Sequence, residues 1–281
     1  MGTLYIVGTP IGNLEDVTLR ALRVLREVNL IAAEDTRRTA RLLQHYSIAT
    51  PTTSLHEHNE RGKSPHLIKK LQDGASIAVV SDAGMPLVSD PGALLVRAAR
   101  EAGIPVQVVP GPSAVTAVLA GAGISGAFAF LGFPPASGKG RTQWMAELGH
   151  MTTFTTVVFF ESPHRLARTL KAVYKILGDR PIIVGREISK VFESLVERPI
   201  TMHLAEEVAA RGEYAVVIPH EVVRQEPASI GQGAPGASDL LAEFGEMTEN
   251  GMRPREIAKR LAVKYGIPAG DIYRLCARGR D

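Results

Sequence analysis

Four times in the first half of the chain a short apolar run stops abruptly at a polar or breaker-rich loop. Leu4–Val7 ends in Thr9-Pro10-Ile11-Gly12-Asn13, Leu30–Ala33 in Glu34-Asp35-Thr36-Arg37, Ile77–Val80 in Ser81-Asp82-Ala83-Gly84, and Val106–Val109 in Pro110-Gly111-Pro112-Ser113. Between the runs the apolar residues change period. Leu19, Leu22, Val24, Leu25 and Val28 recur at helical spacing, Pro91 stands where a helix can open, and Ala114–Ala122 reads as an apolar helix. Strands alternating with helices predict an α/β fold whose sheet is mainly parallel and covered on both faces. In such sheets ligands sit beyond the carboxyl ends of the strands, where all four loops fall.

The same logic divides the chain. Residues 1–122 form an N-terminal α/β lobe, and Gly123–Pro135 reads as a hinge into a second α/β lobe, 123–220. There Val157–Phe160, Pro181–Val184 and Ala215–Ile218 read as strands, with helical patterns over Arg165–Leu177 and Met202–Ala210. Residues 221–236, rich in Gly, Pro, Gln and Ser, read as a linker. The tail, 237–281, reads as three short helices, Asp239–Asn250, Pro254–Lys264 and Ala269–Ala277.

Composition removes several classes. Aromatic residues make up 5% of the 281, which disfavours a protein that grips single strands mainly by stacking. The single cysteine, Cys276, excludes an internal disulfide and a cysteine-cluster metal site, and no metal is expected. Neither a signal peptide nor a membrane span is legible, so a soluble cytoplasmic protein is expected. A net charge of +3 permits a polyanionic partner without requiring one.

Each loop has a structural reading beside a functional one. Thr9–Asn13 lacks the spacing of a dinucleotide-binding turn and the lysine of a phosphate-binding loop, and serves equally as a plain turn. Ser81-Asp82 and Ser89-Asp90 bracket a strand-to-helix crossover. Asp90 with Pro91 reads as a helix cap, whereas Asp82 suits the cationic, sulfonium-bearing end of a methyl donor. Ser113 either caps the following helix or faces a ligand, and Ala114 is small enough to let one lie against the backbone. Glu34, Asp35 and Arg37 read as an internal ion pair or cap, or as chemistry at a strand end. Ser162-Pro163 looks like a helix start, and His164 is a weak candidate base. Arg186–Glu193 alternates charge as a solvated strand edge would.

Taken together the loops resemble one family, the ribosomal RNA small-subunit methyltransferase I enzymes of the tetrapyrrole methylase superfamily. The matching stretches are Thr9–Leu14, Ala33–Arg37, Val80–Gly84 with Ser89–Gly92, Pro110–Ala114, Gly132–Pro135, Phe160–Arg165, and Arg186-Glu187 with Lys190 and Glu193. Any one of these is common; seven in order, over about residues 3–220, are specific. Three departures stand out: Gly8 where relatives often carry a larger residue or Pro, Met85 where Thr is common, and Ser189 where Thr usually precedes the lysine.

The resemblance implies a two-lobed fold with S-adenosylmethionine in the cleft between lobes. It also implies 2′-O-methylation of a cytidine ribose near the ribosomal decoding centre, and a homodimer. Carried over position by position, the donor lies against Pro10, Ser81, Asp82, Ala83, Gly84, Ser113, Ala114, Phe160 and Glu161. Glu34, Asp35, Arg37, Glu187, Lys190 and Glu193 are expected on the acceptor side. Asp35 or Glu187 would then be the base, and Arg37 or Lys190 the phosphate ligand. The partner the resemblance implies is small-subunit ribosomal RNA or the 30S subunit.

From Gly251 onward eight Arg or Lys face three Asp or Glu, and Arg253–Leu261 with Tyr265-Gly266-Ile267 resembles a helix-turn-helix. Such a tail suits RNA phosphates, or equally a helical cap on a dimer partner. The rival readings are a tetrapyrrole methyltransferase and a non-catalytic RNA-binding regulator. The first usually carries Gly-Pro-Gly-Asp in the first loop, and the second leaves the cleft loops unexplained.

Overall fold

The computed structural model of the chain describes residues 1–206, 212–220, 237–249, 251–265, 269–270 and 272–273. The N-terminal lobe runs β1 (Leu4–Val7), a 3-10 turn at Leu14–Asp16, α1 (Leu19–Glu27), β2 (Leu30–Ala33), α2 (Thr36–His45), β3 (Thr52–Ser54), α3 (Glu60–Gln72), β4 (Ile77–Val80), α4 (Ala93–Glu101), β5 (Val106–Val109) and α5 (Ala114–Gly121). Its sheet has the order β3-β2-β4-β1-β5, and every pair in it is parallel. The period-2 alternation of strand side chains sorts the core into two halves. Val7, Ile31, Ala33, Ala78, Val80 and Val109 pack on one face with α1 and α2, while Leu4, Ile6, Ala32, Ile77 and Val79 pack on the other with α3 and α4. Central β4 is buried along its whole length, as a parallel strand covered on both faces must be. Because Leu4 is in register with both Ile77 and Val106, and Ile77 with Leu30, the carboxyl ends of β1, β2, β4 and β5 finish level.

The second lobe runs β6 (Phe128–Phe130), α6 (Gly138–Met151), β7 (Thr156–Glu161), α7 (Pro163–Leu177), β8 (Pro181–Arg186), β9 (Ser194–Pro199), α8 (Ile200–Ala205) and β10 (Tyr214–Ile218). Its order is β6-β7-β10-β8-β9, parallel between β6 and β7 and antiparallel elsewhere. Helix α5 joins the lobes. It leaves β5 of the first sheet and packs Val115, Val118 and Leu119 on Val158, Ile183, Ala215 and Val217 of the second.

Several expectations need correction. The stretch expected as a hinge, 123–135, contains β6, which pairs with β7. Pro91 does not open α4: the helix starts at Ala93, with Gly92 at the N-cap at φ 121°, so Asp90 is not the cap. Leu19 begins α1 but is 86% exposed, off the face that buries Ala21, Leu22, Val24 and Leu25. The charged run after Val184 is not one strand edge. Strand β8 ends at Arg186, and Glu187 (φ 52°) and Ser189 (φ 70°) turn the chain through left-handed conformations into β9. Helix α8 ends at Ala205, with Glu206 extended, and part of the helix expected to reach Ala210 lies outside the described residues.

Met1–Glu221 and Val222–Asp281 are separate compact units. In the second, α9 (Ala237–Glu249) and α10 (Pro254–Tyr265) bury Leu240 and Phe244 against Ile257, Leu261 and Ile272. The linker expected over 221–236 lies outside the described residues, as does most of Ala269–Ala277.

Candidate active site

The loops leaving β1, β4 and β5 are drawn together by close backbone contact. Thr9 and Gly84 exchange both backbone hydrogen bonds, at 2.9 and 3.1 Å, and the Thr9 hydroxyl donates to the carbonyl of Ser81 at 3.2 Å. Gly8 and Gly111 touch so closely that a Cβ on Gly8 would stand 2.7 Å from Gly111 Cα. Only glycine permits that approach. The first loop also reaches the second lobe. A Cβ on Gly12 would lie 2.4 Å from Lys190 Cγ, and the Ser189 hydroxyl donates to Asp16.

Between the lobes these contacts leave a cleft of about 370 Å³. From the first lobe Ile11, Glu34, Arg38, Asp82–Met85 and Val88–Asp90 line it. The start of α5 adds Ser113–Val115, and the second lobe adds Phe133, Phe160–Pro163, Ile188 and Gly212–Ala215. Its walls are largely apolar, with Phe133 tilted on Phe160 at 5.5 Å between ring centroids.

Five carboxylate residues line the cleft, and three of them, Glu34, Asp82 and Asp90, come from the first lobe. Glu34 and Asp82 are locked reciprocally: Asp82 N–H donates to Glu34 at 3.2 Å and Asp35 N–H to Asp82 at 3.1 Å. Arg38 lies 3.4 Å from the other Asp82 oxygen. Burial pushes Glu34 and Asp82 above the ordinary carboxylate range. Asp90 is pushed furthest, to about 6, first by burial and then by the charge of Glu34, with a hydrogen bond from Ser81 acting against both. The cleft therefore holds negative charge at a cost in solvation, which a cationic ligand would relieve.

Of the residues expected to hold a donor, Asp82, Ala83, Gly84, Ser113, Ala114, Phe160 and Glu161 line the cleft. Pro10 and Ser81 do not: buried Ser81 stands behind the lining, its hydroxyl toward Ala83 O at 3.3 Å. Ser113 lines the cleft from the N-cap of α5, where its side chain makes no capping hydrogen bond. Glu161 is fully buried, and its carboxylate is engaged inside its own lobe. It accepts from Ser162 N–H at 2.8 Å, Arg165 at 2.7 Å and the Thr169 hydroxyl at 2.6 Å.

Of the acceptor-side set, only Glu34 lines the cleft. Asp35 caps α2 through Arg37 N–H and is held well below the carboxylate range by the Arg37 side chain, 2.7 Å away. Glu187 and Lys190 pair at 3.0 Å, and Lys190 also reaches Glu213. Burial alone would raise Glu187, but Lys190 and the Glu213 N–H outweigh it, and its pKa is lowered. Glu193 accepts from Ser189 N–H at 2.5 Å. The loop Glu187–Glu193 is thus strapped internally, with Ile188 its contribution to the cleft.

The sequence reading missed Asp90 as a site group, together with Arg38, Met85, Val88, Phe133 and Gly212–Ala215. For Asp90 the Ser-Asp repeat was the available signal. For Gly212–Ala215 there was none. They reach the cleft because β10 runs antiparallel to β7, with Tyr214 opposite Glu161, so its start lies at the carboxyl end of its neighbour.

Comparison with known proteins agrees with this fold. Residues 3–202 match the family described as Tetrapyrrole (Corrin/Porphyrin) Methylases. The Ribosomal RNA small subunit methyltransferase I of Halalkalibacterium halodurans is 41% identical over 277 residues, 98% of this chain and 94% of that protein. Its namesake in Pseudomonas aeruginosa is 44% identical over 85% of this chain and 86% of its own. Among solved structures, the uroporphyrin-III C-methyl transferase of Thermus thermophilus, complexed with S-adenyl homocysteine, superposes with a TM-score of 0.55. It is 20% identical and covers 79% of this chain and 99% of its own. Diphthine synthase gives 0.61 at 15% identity, covering 78% of this chain and 90% of its own. At these identities the two structures speak for the fold alone.

Proposed function

The chain belongs to the ribosomal RNA small subunit methyltransferase I family of tetrapyrrole methylases, and from that premise we propose that it 2′-O-methylates a cytidine ribose of small-subunit ribosomal RNA near the decoding centre. Its cofactor is S-adenosylmethionine, which supplies an electrophilic methyl group on a positively charged sulfur.

The residues of the cleft fit that group. Its volume lies within the roughly 300–1,000 Å³ usual for small-molecule sites. The carrying observation is the pair of desolvated carboxylates, Asp82 and Asp90, in a largely apolar wall: they offer the negative charge a sulfonium and an ammonium require. Small Ala83, Gly84 and Ala114 let a ligand approach the backbone, while Phe133 and Phe160 supply a flat apolar surface.

On the acceptor side, the best proton acceptor for a ribose hydroxyl is Glu34. A general base works best when its pKa is raised toward the operating pH, and Glu34 is raised by burial. Asp35 and Glu187 are each held ionised by a neighbouring cation, which makes them poor bases. Arg37, 89% exposed on α2, and Arg38 beside it suit the RNA phosphates, as do Arg255, Lys259 and Arg260 on α10. A cytoplasmic location belongs to the same reading. No described helix is long and apolar enough to cross a membrane. A homodimer belongs to the same reading and is checked by light scattering.

The test is to incubate the protein with labelled donor and small subunits from cells lacking this modification, then map the label. Methyl on a cytidine 2′-oxygen is the expected result. Label on a base, or transfer only to a tetrapyrrole, would overturn the assignment.

A further inference from the structure

Between Met85 and α4 the chain makes an unusual path. Leu87 (φ 71°), Ser89 (φ 73°) and Gly92 (φ 121°) all adopt left-handed conformations, which cost free energy for a leucine or a serine. Val88, Ser89 and Asp90 on this path line the cleft. Something must hold it.

The cap of α4 cannot come from its own N-cap residue. Gly92 has no side chain, and a Cβ there would stand 3.2 Å from Leu87 Cδ1 and 3.4 Å from Val79 Cγ1. The acceptor comes from another helix. Glu60, the first residue of α3, is a charged side chain only 6% exposed, and its Oε1 accepts from Leu94 N–H at 2.7 Å and Leu95 N–H at 3.2 Å. These are the second and third residues of α4, the amides an N-cap side chain normally satisfies. A carboxylate also suits the positive end of the helix dipole.

Glu60 is itself fixed. Its N–H donates to His56 O at 2.9 Å, its carbonyl accepts from the Ser64 hydroxyl at 2.8 Å, and the preceding turn is closed by His56 N–H to Asn59 Oδ1 at 2.9 Å. The end of β3 is thereby connected through Glu60 to the foot of the cleft loop.

We propose that Glu60 is a positioning residue for donor binding: by capping α4 from α3 it fixes the Leu87–Gly92 path and sets Ser89 and Asp90 against the cleft. The inference rests on the donor reading of that cleft. It predicts that Glu60 acts on donor affinity without touching the donor, and that the acceptor side is unaffected.

The experiment compares the full-length wild type with Glu60→Gln and Glu60→Ala. Each is titrated calorimetrically with S-adenosylhomocysteine, and amide exchange over residues 85–95 is followed in ligand-free protein. Glutamine retains an oxygen at the capping position, so Glu60→Gln should bind within about threefold of wild type, whereas Glu60→Ala should bind about tenfold more weakly. Exchange at Leu94 and Leu95 should be slow in wild type and Glu60→Gln and about tenfold faster in Glu60→Ala. The acceptor KM at saturating donor should not move. A Glu60→Ala protein that binds within twofold of wild type overturns the inference, as does a Glu60→Gln protein no better than Glu60→Ala. Should Glu60→Ala fail to fold, wild type and Glu60→Gln decide the matter: unprotected Leu94 and Leu95 amides in either would refute the cap. Wild type that fails to bind the probe while both amides are protected would sink the donor reading, and this inference with it, but not the cap.

Discussion

Gly12 of the first lobe lies against Lys190 of the second, so closely that a Cβ on Gly12 would stand 2.4 Å from Lys190 Cγ and 2.9 Å from the carbonyl of Ile188. Neither atom is the free end of a flexible chain. The backbone of Gly12 is not left-handed, so alanine at this position tests space alone. Gly12→Ala should push the Glu187–Glu193 loop, and Ile188 with it, away from the cleft. A displacement near 1 Å can cost up to about a hundredfold in rate, so kcat/KM should fall at least about tenfold. Each lobe keeps its own core, so the melting temperature should drop by only a few degrees. Steady-state kinetics beside thermal unfolding check both halves, and unchanged kcat/KM would show that the contact is incidental.

Two of the three departures from the family pattern prove to be one feature. A Cβ on Gly8 would stand 2.7 Å from Met85 Sδ, so the larger residue at 85 occupies the space that a side chain at 8 would need. Gly8→Ala should destabilise the protein by about 1–3 kcal/mol through overpacking. In a Met85→Thr background the same change should cost less, by at least about 0.5 kcal/mol, as expected of residues sharing one volume. The recovery stays partial because Gly111 Cα is equally close to that Cβ. Urea unfolding of the four proteins measures the coupling, and strictly additive effects would refute it.

What the sequence made legible follows from where the physics is local. Buried strands such as Ile77–Val80 announce themselves as apolar runs, and their level carboxyl ends follow from parallel pairing, so the cleft could be placed at one sheet edge. Strands β3 and β9 gave no such signal. Thr52–Ser54 is short and polar, and Ser194–Pro199 is an exposed edge strand whose pairing with β8 supplies what its side chains do not. Within the site, backbone turns were legible and side-chain pairing was not. Asp35 and Arg37 look alike as catalysts or as a capped ion pair until the 2.7 Å between them is known. Glu161, expected against the donor from the family resemblance, does line the cleft, but the partners of its carboxylate, Arg165 and Thr169, are set by the α7 helix it leads into.

That clamp makes a distinguishing prediction. Arg165→Ala leaves the fully buried Glu161 carboxylate with the Thr169 hydroxyl and the N–H and hydroxyl of Ser162. Breaking a buried ion pair by removing one partner costs about 3–5 kcal/mol, and less where, as here, the cation is partly exposed and other donors remain. A loss of about 1–3 kcal/mol in chemical unfolding is expected, with donor affinity in the folded protein within about twofold of wild type. Weakened donor binding at full stability would instead make the pair part of the donor site.

The tail unit is predicted to serve RNA and not the donor. Helices α9 and α10 have their own apolar core, and Met1–Glu221 forms a unit without them. Deletion from Ala237 onward should therefore leave the titration with S-adenosylhomocysteine unchanged. Affinity for small subunits should fall about tenfold or more at moderate salt, with a shallower salt dependence because fewer phosphates are neutralised. Equal subunit affinity with and without the tail would exclude the role.

Asp90 supplies the pH dependence. With its pKa raised to about 6, the ligand-free fold is favoured when Asp90 is protonated. Its contribution to stability is present below the ordinary carboxylate range and is lost as pH rises through 6. Glu34 and Asp82, also raised, act in the same direction. Donor binding should run the opposite way, because a cationic ligand selects the ionised carboxylate. At pH 5 only about a tenth of Asp90 is ionised, so affinity should be about tenfold weaker than at pH 7.5, with roughly one proton released per donor bound near pH 5. Asp90→Asn should bind weakly at every pH and lose the proton release. Calorimetry in buffers of different ionisation enthalpy counts the proton directly, and a donor affinity flat from pH 5 to 7.5 would mean that the cation is held by charges other than Asp90.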